Sequence, residues 1–315
     1  MRNFMSMVKQ LSLFLVCASL SLGAHAQDDI DVMLDWFVNP DHAALIVAEQ
    51  KGLFDEQGLN VNLQEPADPS MPPKLVAAGK VDFAVTYQPE LIQDVAHGLP
   101  LTRISTLIAT PLNTLMVLEE GDIKSLADLK GKSIGTAISG GVSEATIGVM
   151  LRNSGLALSD VSIINVGWAL SSSLASQKVD AIYGGYRNFE MHQLAMEGFK
   201  GKAFFVEEEG VPPYDELVIV ANPDKLKPGQ VKRFNRALEL ATQFIINHPD
   251  DAWLLFKSYK KDLDTELNQL AWKDTLSRLA LRPAAYDVNR YQDYAEFLLA
   301  SGIISTIPNT QDYLF

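Results

Sequence analysis

The chain has 315 residues, and 39 Asp and Glu against 26 Lys and Arg give a formal net charge of −13. A surface this acidic repels phosphate backbones and anionic lipid, so nucleic acid and membrane surfaces are disfavoured as partners. The length exceeds what one hydrophobic core usually holds and favours two lobes.

The opening residues read as a leader. Arg2 and Lys9 precede an apolar run over 11–20, and Ala24-His25-Ala26 supplies the small-x-small pattern of a signal-peptidase site. Residues 1–26 are therefore expected to be a cleaved signal peptide, with a mature chain from Gln27 located in the periplasm. The apolar run falls short of the roughly 20 residues that span a bilayer. Cys17 is the sole cysteine and lies inside that run, so neither a disulfide nor a thiolate metal site is expected in the mature chain.

From there, short β-rich runs alternate with helical patterns, the signature of α/β layers. Strands are expected over 30–34, 60–64, 81–86, 102–108 and 114–118, with helices starting near 40 and over 72–79 and 89–96. The pattern then restarts. Ser125 caps a helical turn with Asp128 as its capping-box partner, strands follow over 133–137, 161–166, 179–183 and 202–207, and helices over 142–154, 170–177 and 189–198.

A charged, Pro-punctuated break over 207–214 suits a crossing between lobes, and another strand is expected over 217–221. The remainder is helical. Val231, Phe234, Leu238, Ala241 and Ile245 form one apolar stripe, and Trp253, Phe256, Tyr259 and Trp272 read as core aromatics. The expected organisation is a clamshell, with lobe one at 27–115 and 215–315 and lobe two at 116–214. Its ligand would sit between facing strand ends.

Enzyme chemistry finds no anchor. The five histidines are scattered, and His-Glu-x-x-His, Gly-x-Ser-x-Gly and the P-loop pattern are all missing, so no metal, cofactor or catalytic group is expected. Ser139-Gly140-Gly141 stands between a strand and a helix and reads equally as a weak anion cradle or a plain turn. Asp35-Trp-Phe-Val-Asn-Pro-Asp-His42 follows the first strand, where an open α/β sheet places its ligand. Its Trp36 and His42 offer a stacking face and a hydrogen-bonding ring, or else a core plug and a helix cap.

Leu34-Asp-Trp36, Asn39-Pro40, His42-Ala43, Gly52-Leu-Phe54, Thr86-Tyr-Gln-Pro-Glu90, Leu129-Lys-Gly-Lys132, Val179-Asp-Ala-Ile-Tyr-Gly-Gly-Tyr186 and Pro213-Tyr-Asp-Glu-Leu-Val218 together resemble thiamine pyrimidine-precursor-binding proteins of ABC importers. The resemblance runs over most of the mature chain. It implies a type II periplasmic-binding-protein clamshell, a monomer that binds a small 4-amino-2-methylpyrimidine and delivers it to an ABC permease in the inner membrane. Trp36 and Tyr186 would sandwich the ring, and Glu190 would meet its nitrogen edge. Asn39, His42, Tyr87, Ser139, Gly140, Gly141, Asn188 and Tyr214 complete the expected site.

Two alternatives stay open. Fungal members of the same family are enzymes that build the pyrimidine with iron and pyridoxal phosphate. Here their cysteine-rich loop is replaced around Val211-Pro-Pro-Tyr-Asp215, and no equivalent lysine occurs over 35–42. A sulfonate or other anion binder would require cations beside the cleft turns, where Arg187 alone adjoins the candidates.

Overall fold

A computed structural model describes residues 27–315, and the expected signal peptide at 1–26 lies outside the described residues. The strands of the described residues are β1 (Asp28–Met33), β2 (Leu59–Gln64), β3 (Phe83–Thr86), β4 (Thr102–Ile108), β5 (Asn113–Leu118), β6 (Ser133–Thr136), β7 (Ser162–Asn165), β8 (Ala181–Tyr186), β9 (Gly201–Phe205) and β10 (Leu217–Ala221). They form two five-stranded sheets, ordered β2-β1-β3-β10-β4 and β7-β6-β8-β5-β9.

The two sheets share one plan. Three parallel strands are followed by an antiparallel one, β10 in the first and β5 in the second, and each of these arrives from the other lobe. This is the doubled half-pattern expected from the sequence, and it makes two α/β lobes. β10 and β4 are buried along their whole lengths, which explains the unbroken apolar run Leu217-Val-Ile-Val-Ala221 in a strand covered on both faces.

The helical tail packs onto the first sheet. Helix Pro228–Asn247 lays Val231, Phe234, Leu238, Ala241 and Ile245, all fully buried, against helix Ala43–Gln50 and its surroundings. Phe54 stacks on Phe234 with centroids 5.2 Å apart. Trp253, Phe256 and Trp272 cluster at 5.4–5.8 Å, so the tail aromatics belong to the core.

The chain passes between the sheets over 109–112 and returns over 206–216. The first crossing precedes the boundary expected at 115, because Asn113 and Thr114 already pair with Tyr186 and Gly185 of β8. β8 also runs past its expected end at 183. Gly184, at φ +103°, is the extra residue of a bulge opposite β5, a conformation that only glycine adopts readily. The bulge carries the strand on to Tyr186.

Glu216 joins the two crossings. Its Oε2 accepts hydrogen bonds from the backbone N–H of Leu112 at 2.6 Å and of Asn113 at 3.0 Å. Its neighbour Asp215 accepts from Thr106 Oγ1 at 3.2 Å and Tyr291 Oη at 3.3 Å, and pairs with Arg290. The hinge is thus tied to β4 and to helix Val288–Ala300. Glu216→Ala would leave two buried backbone donors unpaired. It is expected to lower the unfolding free energy by about 2–4 kcal/mol in chemical denaturation.

Candidate functional site

The C-terminal ends of β1, β3, β6 and β8 converge on one cleft, as doubly wound sheets require of a ligand site. The cavity there has about 870 Å³ of empty space, part of it open to solvent. The first lobe supplies Asp35, Trp36, Asn39, Asp41, Tyr87 and Glu90 to its wall. The second supplies Ser143, Tyr183, Tyr186, Phe189 and Glu190, and the return crossing adds Tyr214 and Glu216.

Of the residues singled out in the sequence, Trp36, Asn39, Tyr87, Tyr186, Glu190 and Tyr214 line this cavity. Tyr87 Oη donates to Asp35 Oδ2 at 2.9 Å, and Tyr186 Oη donates to Glu216 Oε1 at 3.2 Å. Glu190 is 8 % exposed, and its Oε2 accepts from the Tyr186 N–H at 2.6 Å, which fixes the carboxyl beside the Tyr186 ring.

Five expected residues do not line the cavity. His42 is fully buried behind the wall: Nδ1 accepts from the Asn39 N–H at 3.3 Å, so Nε2 carries the proton and donates to Asp35 Oδ1 at 2.9 Å. The ring closes a capping box around Pro40–His42 and orients Asp35, the helix-cap role rather than a ligand contact. Asn188 also stands behind the wall, donating to Asp41 Oδ1 at 2.6 Å and Thr275 Oγ1 at 2.8 Å. Ser139 bonds Thr136 Oγ1 at 3.1 Å. Gly140 and Gly141 form the turn into helix Gly141–Asn153, and the wall is built by their neighbours Ile138 and Val142. A Cβ on Gly141 would lie 2.6 Å from Gln93 Oε1 of the opposite lobe, so this glycine permits close approach instead of cradling an anion.

The sequence reading missed several wall groups: Asp35, Asp41, Glu90, Phe189 and Glu216. It also missed Trp168, in the loop after β7, whose ring lies 4.1 Å from that of Trp36 across the mouth of the cleft. Phe37 and Phe189 meet beside them at 5.9 Å. The cleft is thus rimmed by aromatics from both lobes.

The wall is strongly acidic. Asp35, Asp41, Glu90, Glu190 and Glu216 all face it, and no Lys or Arg lines it. Arg187, the nearest expected cation, is engaged by Glu207 at 2.7 and 2.8 Å. Removal from water pushes the carboxyls up, Asp41 to about 6, Glu190 and Glu216 to about 7, and Glu90 to about 8. Glu216 raises Glu90 further, and Asp41 raises Glu190.

These groups hold protons in the folded protein that the unfolded chain releases near pH 4.5. Their burden on stability is absent below that pH, grows as pH rises towards their raised values and is complete above them. The melting temperature of the ligand-free protein is expected to fall as pH rises from 5 to about 8, measured by thermal denaturation across that range. A flat or rising curve there contradicts the raised carboxyls.

Comparison with known proteins bears on the family and the fold. Residues 39–252 match the family model described as NMT1/THI5 like. A Haemophilus influenzae protein named for thiamine biosynthesis is 50 % identical, over 95 % of this chain and 96 % of its own. The formylaminopyrimidine-binding protein of Halalkalibacterium halodurans is 34 % identical, over 81 % of this chain and 77 % of its own. Among solved structures, the alkanesulfonate-binding protein of Xanthomonas axonopodis superposes with a TM-score of 0.71 at 16 % identity, covering 92 % of this chain and 97 % of that one. At that identity the likeness speaks for the periplasmic-binding-protein fold alone. The chain belongs to the NMT1/THI5-like family.

Proposed function

We propose that this protein is the periplasmic solute-binding component of an ABC importer, and that it captures a thiamine-related aminopyrimidine for salvage. The observation that carries this reading is the cleft wall: aromatic rings with five carboxyls, and no Lys or Arg. A 4-aminopyrimidine has two flat faces and an edge that pairs a ring nitrogen with an amino donor. Trp36 and Tyr186 offer rings to the faces, and Glu190, poised near pH 7, offers the edge an acceptor or a proton as needed. The name of the Halalkalibacterium relative points to the same ligand class. Formylaminopyrimidine and hydroxymethylpyrimidine are the two cargoes this reading favours.

Capture proceeds by closure. Asp35, Asp41 and Glu90 stand on one lobe and Glu190 on the other, so a ligand touching both sets favours the closed form to the extent that it binds that form better. The closed lobes then present one surface to a permease in the inner membrane.

The same wall argues against the alternatives. A sulfonate would meet carboxyls and find no free cation. Synthase chemistry that draws on a histidine finds none in the cavity wall, and His42 behind it is fully buried with both ring nitrogens engaged.

Isothermal titration with formylaminopyrimidine, hydroxymethylpyrimidine and taurine tests the reading. One-to-one binding of a pyrimidine supports it, whereas heat from taurine alone would overturn it. Trp36→Ala and Glu190→Gln are each expected to weaken pyrimidine binding by about 30-fold, equivalent to ~2 kcal/mol, with the melting curve retained. Unchanged affinity in both variants would remove the proposed site.

A further inference from the structure

Asp41 brings to the cleft wall an acceptor that the chain does not satisfy. It is 1 % exposed and belongs to that wall. Its Oδ1 receives the Asn188 amide at 2.6 Å and lies 3.1 Å from Thr275 Oγ1, while Oδ2 is buried with no hydrogen-bond partner. Donors of the same wall are engaged elsewhere. The Tyr87 hydroxyl goes to Asp35, the Tyr186 hydroxyl to Glu216, the Asn39 amide to the Phe37 carbonyl, and the Asp41 N–H to Asn39 Oδ1. No Lys or Arg lines the cavity. A carboxylate oxygen left buried and unpaired is costly, so a donor from outside the chain is called for.

The place of this oxygen identifies the ligand group. Asn188 bonds Asp41 across the lobes, and it lies two positions before Glu190, the first residue of helix Glu190–Met196. Asp41 of the first lobe and Glu190 of the second thus stand at the same end of the cavity, and Asp41 accordingly raises Glu190. Burial pushes Asp41 itself up to about 6, so above neutral pH it is ionised and both oxygens accept. Parting the lobes withdraws Asn188, which lets a ligand meet the carboxyl before closure covers it.

An amino group on an aromatic ring carries two N–H donors that point to opposite sides. Glu190, facing the ring nitrogen, takes the N–H beside it and leaves the second. Resting on the pyrimidine reading, we infer that Asp41 Oδ2 accepts this second N–H, so that two carboxyls, one from each lobe, make the site specific for a primary amino group. Formylaminopyrimidine and hydroxymethylpyrimidine both carry that group. A carbonyl in its place would set an oxygen against Oδ2 and leave both without a donor.

Asp41→Asn reverses the polarity at this point. The Asn188 amide and the Thr275 hydroxyl hold the side-chain oxygen at the Oδ1 position, which turns the amide nitrogen to the place of Oδ2 and puts a donor where an acceptor stood. The probes are the 4-amino and 4-oxo forms of 5-hydroxymethyl-2-methylpyrimidine and of its 5-formylaminomethyl analogue, titrated calorimetrically at about pH 7.5, where Asp41 is ionised. Wild-type protein is expected to bind each 4-amino probe at least about 30-fold tighter than its 4-oxo counterpart. Asp41→Asn should bring that ratio below about 3-fold or reverse it, whereas a merely loosened cleft weakens both forms alike.

Asp41→Ala, which removes the oxygen without adding a donor, should shrink the ratio as well, and it takes the place of Asp41→Asn if thermal melting shows that variant unfolded. Equal or tighter binding of the 4-oxo forms by wild type, or a ratio untouched in a folded Asp41 variant, overturns the inference and leaves the pyrimidine reading standing. Binding of none of the four probes overturns both.

Discussion

The carboxylate of Glu216 holds together the parts on which everything else in the molecule depends. Through one oxygen it gathers the N–H groups of Leu112 and Asn113, and so pins the outgoing crossing to the returning one. Through the other it receives the hydroxyl of Tyr186, a cleft aromatic at the end of the bulged strand β8. A single side chain at the hinge thereby positions a wall of the cavity. Asp215 beside it anchors the same segment to Thr106, Tyr291 and Arg290, so the return crossing is rigid where it meets the first lobe. The rest of the two crossings runs over 109–112 and 206–214.

A hinge built on carboxylates imposes a constraint on the cleft. Burying acidic groups is unfavourable unless they are hydrogen-bonded or neutralised, and the wall contains five. Asp35 is answered by His42 and Tyr87, Glu190 by the Tyr186 N–H, and Glu216 by two backbone amides. Asp41 is answered incompletely, its Oδ2 having no partner. The protein is therefore not at its stability optimum here, as is common where binding groups are held ready for a partner from outside the chain.

Which of these features were legible in the sequence follows from how local each one is. The capping box of Ser125 and Asp128 needs only residues three apart, and it forms as the spacing predicts, with the Ser125 N–H donating to Asp128 Oδ2 at 2.8 Å. Trp36 was legible because a tryptophan in the turn after the first strand has few places to go except the cleft. His42 was not, since a capping histidine and a ligand-binding one look alike until Asp35 folds back onto Nε2. Asn188 contacts Asp41 from 147 positions away, and Glu216 reaches the Leu112 and Asn113 amides from more than 100. No local pattern encodes such pairings. Trp168 lies in a loop outside any helical or strand period, so its place against Trp36 emerges only when the lobes meet.

Under the proposed function, the distribution of groups between the lobes would couple binding to closure. Its rim is attractive in the closed arrangement: Trp36 meets Trp168, Phe37 meets Phe189, and Asn188 bonds Asp41, each pair drawing one member from either lobe. Its interior has the opposite tendency, because Asp41 of the first lobe raises the affinity of Glu190 of the second for protons. Rim and interior therefore oppose one another, and a ligand shifts their balance only by changing the interior term. A flat ring held between Trp36 and Tyr186, as proposed, would add contacts that exist only when both lobes are present. Donors placed among the carboxyls remove the repulsion that closure creates. On the proposed reading, the affinity of the closed form would be built from residues that an open form keeps apart, which is the differential binding that a solute-capturing clamshell requires.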